Sequence, residues 1–420
     1  MIYIRKEDYQ MNLRPDADKI IESAIRAALP DTAVKKALQD EDFSGGRLIM
    51  VSIGKAAWSM ANAACDILGG RIDEGIVITK YGHSMGALPN IRIREAGHPI
   101  PDANSFAATE EAIRMVSGLK PEDKVLFLIS GGGSALFEKP LIGESEIARL
   151  NEQLLASGAD ITEINTIRKR LSAVKGGKFA KLCEPARVIS VVLSDIIGDP
   201  LDMIASGPAY PDSSTSEQAI GIIKKYGIKV SEETLELLKK ETPSELSNVR
   251  TKVTGSVTQL CKAAEQTCRE LGYEPVILTA SLRCQAREAG SFLASIAQYY
   301  NSSEKSLAFI AGGETVVQLK GKGKGGRNQE LALSAAEGIS GLNNVAVFSV
   351  GSDGTDGPTD AAGGYVDTMT KKVLAEKGID IFETLENNDA YPALQACGGL
   401  IITGPTGTNV NDLSVLLIKR

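Results

Sequence analysis

The feature that most constrains this chain is a recurring unit: a short apolar run that ends abruptly in glycines and oxygen-bearing side chains. Val345–Val350 is one such run, and Gly351, Ser352, Asp353, Gly354, Thr355, Asp356, Gly357, Pro358, Thr359 and Asp360 follow it. The run is long enough for a buried strand and too short for most helices. The same construction appears earlier. Leu48–Ile53 leads into Gly54 and Lys55, Lys124–Ile129 into Ser130, Gly131, Gly132, Gly133 and Ser134, and Arg187–Leu193 into Ser194 and Asp195. Strands alternating with helical stretches predict α/β architecture with mostly parallel pairing and right-handed crossovers. In open sheets of this kind, ligands bind beyond the carboxyl ends of the strands.

At 420 residues the chain exceeds what one core organises, so two α/β domains are expected, with the boundary near Glu241–Ser244. A net charge of −7, unclustered, argues against nucleic acid as the main partner. The cysteines Cys65, Cys183, Cys261, Cys268, Cys284 and Cys397 form no CxxC pair, which suits reduced thiols in a cytoplasmic protein. No apolar run approaches membrane-spanning length, and the charged N-terminus does not read as a signal peptide. With His83 and His98 the only histidines, an HExxH metal site is excluded, and a general base is expected to be a carboxylate.

The loops then divide by chemistry. Lys55 opens an alanine-rich helix, where a cation is disfavoured unless it serves an anionic partner. Gly131, Gly132, Gly133 and Ser134 suit backbone approach to a phosphate, although no GK[ST] follows to make a Walker loop. Asp195, directly after a predicted strand, is a candidate base or metal-linked carboxylate. The run from Gly321 to Arg327 reads as a flexible cationic loop bringing Lys324, Gly326 and Arg327 to a polyphosphate. Asp353 and Asp356 offer the hard oxygens that Mg²⁺ prefers. Around Arg168, Lys169, Arg170, Lys175 and Lys178, most charges are expected on a solvated helix face. Further expectations are a strand at 316–319 and one helix over 385–397.

Read in order, SIGKAA, AGHPIPDANS, LISGGGSALFEKP, NTIRKRLSAVKGGK, VLSDIIGDPLDMIASGP, GGETVVQLKGKGKGGRNQELAL, SVGSDGTDGPTDAAGGYVD and GTNVNDL resemble the glycerate 2-kinase family over most of the chain. The resemblance implies a large Rossmann-like domain with a three-layer parallel sheet over 1–245 and a smaller MOFRL-type mixed α/β domain over 246–420, with an interdomain cleft. It implies ATP-dependent phosphorylation of D-glycerate at the 2-hydroxyl, with ATP and Mg²⁺ as cofactors. Carried over by motif, Lys55, Asp195 and Arg327 are the expected catalytic residues. Gly131, Gly132, Gly133, Ser134, Lys324, Gly326 and Asn409 are the expected nucleotide contacts, and Asp353 and Asp356 the expected metal ligands. D-Glycerate and ATP are then the partners, without nucleic acid or membrane, and a homodimer is the assembly to test. The competing readings are a hydroxypyruvate reductase, using the GxGxxG at Gly321, and a sugar-phosphate-binding module without turnover.

Overall fold

The computed structural model describes residues 11–420 apart from 195 and 199. The chain divides into two compact units, Pro30–Thr254 and a second that joins Gly255–Arg420 to residues 11–29. The boundary expected at 245 falls shortly before this division at Thr254 and Gly255. The helix Arg14–Ala27 turns Ala17, Ile20, Ile21, Ala24 and Ile25 inward and packs with the helix Val257–Glu270, far away in sequence. Polar bonds fix the pairing: Tyr273 Oη donates to Asp16 (2.7 Å) and Thr267 Oγ1 to Ser23 Oγ (2.8 Å).

In the unit Pro30–Thr254 the strands are β1 (Leu48–Ile53), β2 (Glu74–Lys80), β3 (Ile91–Ala96), β4 (Lys124–Ile129), β5 (Arg187–Leu193) and β6 (Val249–Gly255). They lie in the order β3-β2-β1-β4-β5-β6, and every pairing from β3 across to β5 is parallel. Side chains alternate across the pleat. Ile49, Val51, Ile53, Val125, Phe127 and Ile129 enter one core, while Leu48, Met50, Leu126 and Leu128 enter the other. The first core also holds Ala108, Ala112 and Met115 of the helix Ala103–Met115; the second holds residues of the helices Pro30–Leu38 and Ala57–Leu68. A sheet covered on both faces explains why its strands read as unbroken apolar runs.

The other unit contains β7 (Glu274–Leu282), β8 (Leu307–Gly313), β9 (Val345–Gly351), β10 (Gly363–Asp367), β11 (Leu400–Ile401) and β12 (Asp412–Ile418). Their order is β11-β10-β9-β12-β8-β7, antiparallel except for the parallel pair β7/β8. Helices Arg14–Ala27 and Val257–Glu270 share one core with this sheet, and helices Ala286–Tyr299 and Arg327–Ile339 share the opposite one.

Two local expectations fail. Residues 316–319 form no strand; Val316 makes a single bridge to Gln285, and Leu319 is exposed. The expected helix over 385–397 is broken into Ile381–Glu386 and Ala390–Cys397, with Asn388 between them at φ 55°. The break is useful to the fold. Asn388 Oδ1 accepts from the backbone N–H groups of Lys320 (2.8 Å) and Gly321 (3.0 Å), and Nδ2 donates to Glu330 (3.1 Å). The glycine–lysine loop is therefore pinned rather than flexible. A Cβ at Gly321 or Gly323 would lie 2.3 or 2.5 Å from the Asn387 carbonyl oxygen, so close packing is what requires glycine there.

Candidate active site

The strand order reverses between β1 and β4, the position at which an open α/β sheet leaves a crevice beyond its strand ends. The sequence places Gly54 and Lys55 after β1 and Ser130–Ser134 after β4, and the backbone joins the two turns. Lys55 N donates to Gly131 O (2.9 Å) and Ser130 N to Ile53 O (3.0 Å). Ser130 Oγ accepts from Ala56 N and donates to Ile53 O, both at 3.1 Å. Gly132 sits at φ 86°, and a Cβ there would lie 3.1 Å from the His98 ring and 3.2 Å from Lys55 Cγ. Lys55, Gly132 and His98 are thus neighbours. The Lys55 ammonium, half-buried, makes no ion pair with a described residue. His83 Nδ1 lies 3.2 Å from Lys55 O, which places the second histidine behind the same turn.

A cavity of about 350 Å³ opens beside this turn, with His98, Gly132, Ser134, Glu138, Asn151 and Arg168 among its lining residues. Ser134 Oγ lies 3.1 Å from Ser206 Oγ, which in turn donates to Asn165 Oδ1. Arg168 Nε donates to Asn151 Oδ1 (3.0 Å). Burial pulls the Arg168 guanidinium below its usual range, against the attraction of Glu138. Neither Glu138 nor Asn151 was signalled by the sequence, because the turn brings them in through tertiary packing alone.

The expected solvated face at 168–178 is corrected here. Lys169, Arg170 and Lys175 are each no more than 2% exposed. Lys169 pairs with Asp202 (3.2 Å) and Asp212 (3.1 Å), Arg170 with Glu241 (3.1 Å), and Lys175 with Glu138. Lys178 Nζ donates to the carbonyls of Lys169, Arg170 and Ser172, capping the end of helix Ile161–Arg170, and burial lowers its pKa to about 8. Asp195 lies outside the described residues.

The second group of expected residues gathers at the ends of β9 and β12. Gly326 is the N-cap and Arg327 the first residue of helix Arg327–Ile339. Asp412, at the start of β12, receives Arg327 Nε (2.5 Å) and Nη2 (2.9 Å) in a bidentate pair. Burial works against the guanidinium, yet Asp412, Glu314 and Asp356 together hold it firmly protonated. Asp356 does not present itself as a metal ligand. Its Oδ1 accepts from Asn328 N (3.1 Å) and Nδ2 (3.3 Å), and its Oδ2 from Gln329 N (2.9 Å) and Nε2 (3.0 Å). It clasps the helix N-terminus, where a carboxylate satisfies orphan N–H groups. Burial raises its pKa to about 6.

Asp353 spends Oδ1 on the Thr355 N–H (2.9 Å) and stays part-exposed. Asn409 belongs to the neighbouring loop, which is tied to this one by Thr406 N to Asp353 O (3.2 Å) and Val410 N to Ser352 Oγ (2.8 Å). Lys324 is held with its ammonium 4.2 Å from the centre of the Tyr391 ring. No group of three or more His, Cys, Asp or Glu among the described residues is arranged to hold a metal. Asp353 nevertheless fits a magnesium ion that arrives with phosphates, since such an ion needs only one or two carboxylates and keeps its waters.

A family model described as a domain of unknown function, DUF4147, matches residues 16–239, and the MOFRL family model matches residues 307–412. The chain is 52% identical to the D-glycerate 2-kinase of Thermotoga maritima, over 97% of this chain and 99% of that one. It is 41% identical to the glycerate 2-kinase of Pyrococcus horikoshii, over 97% and 98%. The crystal structure of a glycerate kinase from Thermotoga maritima superposes with a TM-score of 0.92 at 51% identity, covering 97% of this chain and 99% of that one. The chain belongs to the glycerate 2-kinase family, with a DUF4147 domain followed by a MOFRL domain.

Proposed function

We propose that this protein transfers the terminal phosphoryl group of ATP to the 2-hydroxyl of D-glycerate, giving 2-phosphoglycerate and ADP. The near full-length likeness to relatives named for glycerate phosphorylation carries the reading. The site chemistry agrees with it. Phosphoryl transfer asks the protein for cationic clamps and positioning more than for covalent chemistry. Lys55 offers an ammonium without an ion pair among the described residues, beside a glycine turn that lets phosphate oxygens approach backbone N–H groups. Arg327 offers a guanidinium whose direction is set by Asp412. Asp195, immediately past Ser194 in the sequence, is proposed to accept the hydroxyl proton. Asp353 would hold Mg²⁺, which when bound neutralises charge on the phosphate oxygens. The exposed Asn409 would add a neutral contact in the adjoining loop.

The test is ³¹P NMR of the full chain with Mg²⁺, ATP and D-glycerate. A new phosphomonoester coupled to the C2 proton is expected. An ester at C3 would overturn the regiochemistry. Intact ATP together with loss of NADH in the presence of hydroxypyruvate would overturn the kinase reading itself.

A further inference from the structure

The glycine–lysine loop from Lys320 to Gly325 is built to hold one of its cations, and the reaction as proposed leaves that cation without a task. Exposure alternates along the loop. Lys320, Lys322 and Lys324 are exposed, while Gly321, Gly323 and Gly325 lie against the segment 387–391, where a Cβ would meet Asn387, Asp389 or Ala390. The lysines differ in what surrounds their charge. Lys320 is neutralised by Glu386 (3.2 Å), and Lys322 is held only through its backbone N–H, which donates to Asn387 Oδ1 (3.3 Å). Lys324 is fixed at its N–H, its carbonyl and its ammonium. The N–H donates to Asp389 Oδ1 (2.8 Å), the carbonyl accepts from Tyr391 N (2.9 Å), and the ammonium lies 4.2 Å from the centre of the Tyr391 ring. That ammonium makes no ion pair with a described residue. The ring is itself anchored, since Tyr391 Oη donates to Asp360 Oδ1 (2.7 Å). This bond holds the Asp360 carboxyl below its usual range, and the Lys324 charge adds to the effect.

We propose that Tyr391 is a positioning residue, whose ring holds the Lys324 ammonium in place for the phosphate oxygens of the phosphoryl donor. A carboxylate would fix an ammonium by cancelling its charge, whereas an aromatic face fixes it and leaves the charge available. A phenol that donates to a carboxylate also has a ring richer in electrons, and so a better seat for a cation. Lysine loses much side-chain freedom when it is immobilised, and the ring takes part of that loss before any ligand arrives. Lys324 stands three residues before Arg327, within about 10 Å along the chain, so the two cations can serve one polyphosphate. The choice of a phosphate as the anion rests on the kinase reading above.

The experiment is isothermal titration calorimetry of the full chain with ATP and with D-glycerate, on the wild type, Tyr391→Phe, Tyr391→Leu, Lys324→Met and the double variant of Tyr391→Leu with Lys324→Met. Tyr391→Leu is expected to weaken ATP by about tenfold, the scale of the rotamer freedom the lysine regains, and to leave D-glycerate within about twofold. Tyr391→Phe keeps the ring and should stay within about threefold of the wild type for ATP. Adding Tyr391→Leu to Lys324→Met should cost nothing more, because a residue that acts through another has no effect once that other is gone. In NMR spectra the ring should displace the Lys324 CεH2 protons upfield in the wild type and in Tyr391→Phe, but not in Tyr391→Leu. Unchanged ATP affinity in Tyr391→Leu or in Lys324→Met would overturn the proposal. So would losses that multiply in the double variant, or that fall equally on D-glycerate. Calorimetry needs no turnover. A chain that binds ATP in the expected pattern but forms no phosphoglycerate would overturn the kinase reading and uphold the role of Tyr391.

Discussion

Replacing Asp356 by Asn separates a structural clasp from a metal ligand. In the wild type four donors converge on the Asp356 carboxylate, two on each oxygen. The neutral acid and the amide each keep one good acceptor, and the amide adds a further donor among donors. Below the carboxyl pKa the substitution therefore strands about one N–H group, a loss of about 1–3 kcal/mol. At pH 7 the balance changes. Burial raises the folded pKa from 3.8 to about 6, and each tenfold is worth about 1.4 kcal/mol, so the ionised group costs the folded state about 3 kcal/mol. Because the folded pKa is raised, this contribution to wild-type stability is complete below pH 3.8 and is lost as pH rises through about 6. Asn has no such dependence. Amide exchange across helix Arg327–Ile339, corrected for intrinsic rates, should show Asp356→Asn opening more readily than wild type at pH 4.5 and about equally at pH 7. A deficit that appears only with Mg²⁺ would refute the clasp and restore Asp356 as a ligand, whereas a variant worse at pH 7 than at pH 4.5 would show that the carboxylate clasps the helix in its ionised form and that its pKa is not raised.

Three further substitutions probe the site. Lys55→Met should lower kcat by about 10²-fold or more while leaving the thermal midpoint nearly unchanged, since no described residue pairs with the ammonium; steady-state kinetics beside a melting curve decides it. Asp412→Asn removes half of the bidentate hold on Arg327, so kcat should fall and stability should drop by about 1.5–3 kcal/mol. A stability loss with kcat intact would contradict the positioning of Arg327. Gly132→Ala imposes φ 86° on a residue with a Cβ, within 3.2 Å of both the His98 ring and Lys55 Cγ, and should cost about 1–2 kcal/mol by urea denaturation.

What the sequence disclosed and what it hid follow from the range of the interactions. Strands β1, β4, β5, β9 and β12 were legible because burial on both faces demands continuous apolar runs. Strand β3 was not: as the outermost strand of its sheet it alternates Ile91, Arg92, Ile93 and Arg94, and its arginines reach Glu111. Strand β10 begins with two glycines and reads as a turn. Its Gly363 is needed because any Cβ would collide with the Ser349 carbonyl oxygen on β9. The turns at Lys55 and Gly132 were legible as local glycine chemistry at strand ends. The clasp by Asp356, the direction given to Arg327 by Asp412, and the cavity groups Glu138 and Asn151 all depend on residues distant in sequence, so no local pattern announces them.

The buried charges between Arg168 and Lys178 show why such partners matter for the glycine turn. Buried ion pairs are weak sources of stability, because desolvation cancels most of their attraction, but leaving one partner alone is costly. They therefore act chiefly as locks on register. Lys169 ties helix Ile161–Arg170 to Asp202 and Asp212, and Arg170 ties it to Glu241 and Ser214. The chain that follows donates from Gly176 N to Ser206 O (3.0 Å) and from Gly177 N to Gly207 O (2.7 Å). Ser206 then meets Ser134 in the turn after β4. A chain of fixed contacts thus runs from the locked helix to the backbone that is proposed to receive phosphate. Catalysis by positioning tolerates little slack, and a glycine-rich turn has no side chains of its own with which to remove it. The charges that look like a solvated face in the sequence supply that rigidity from behind.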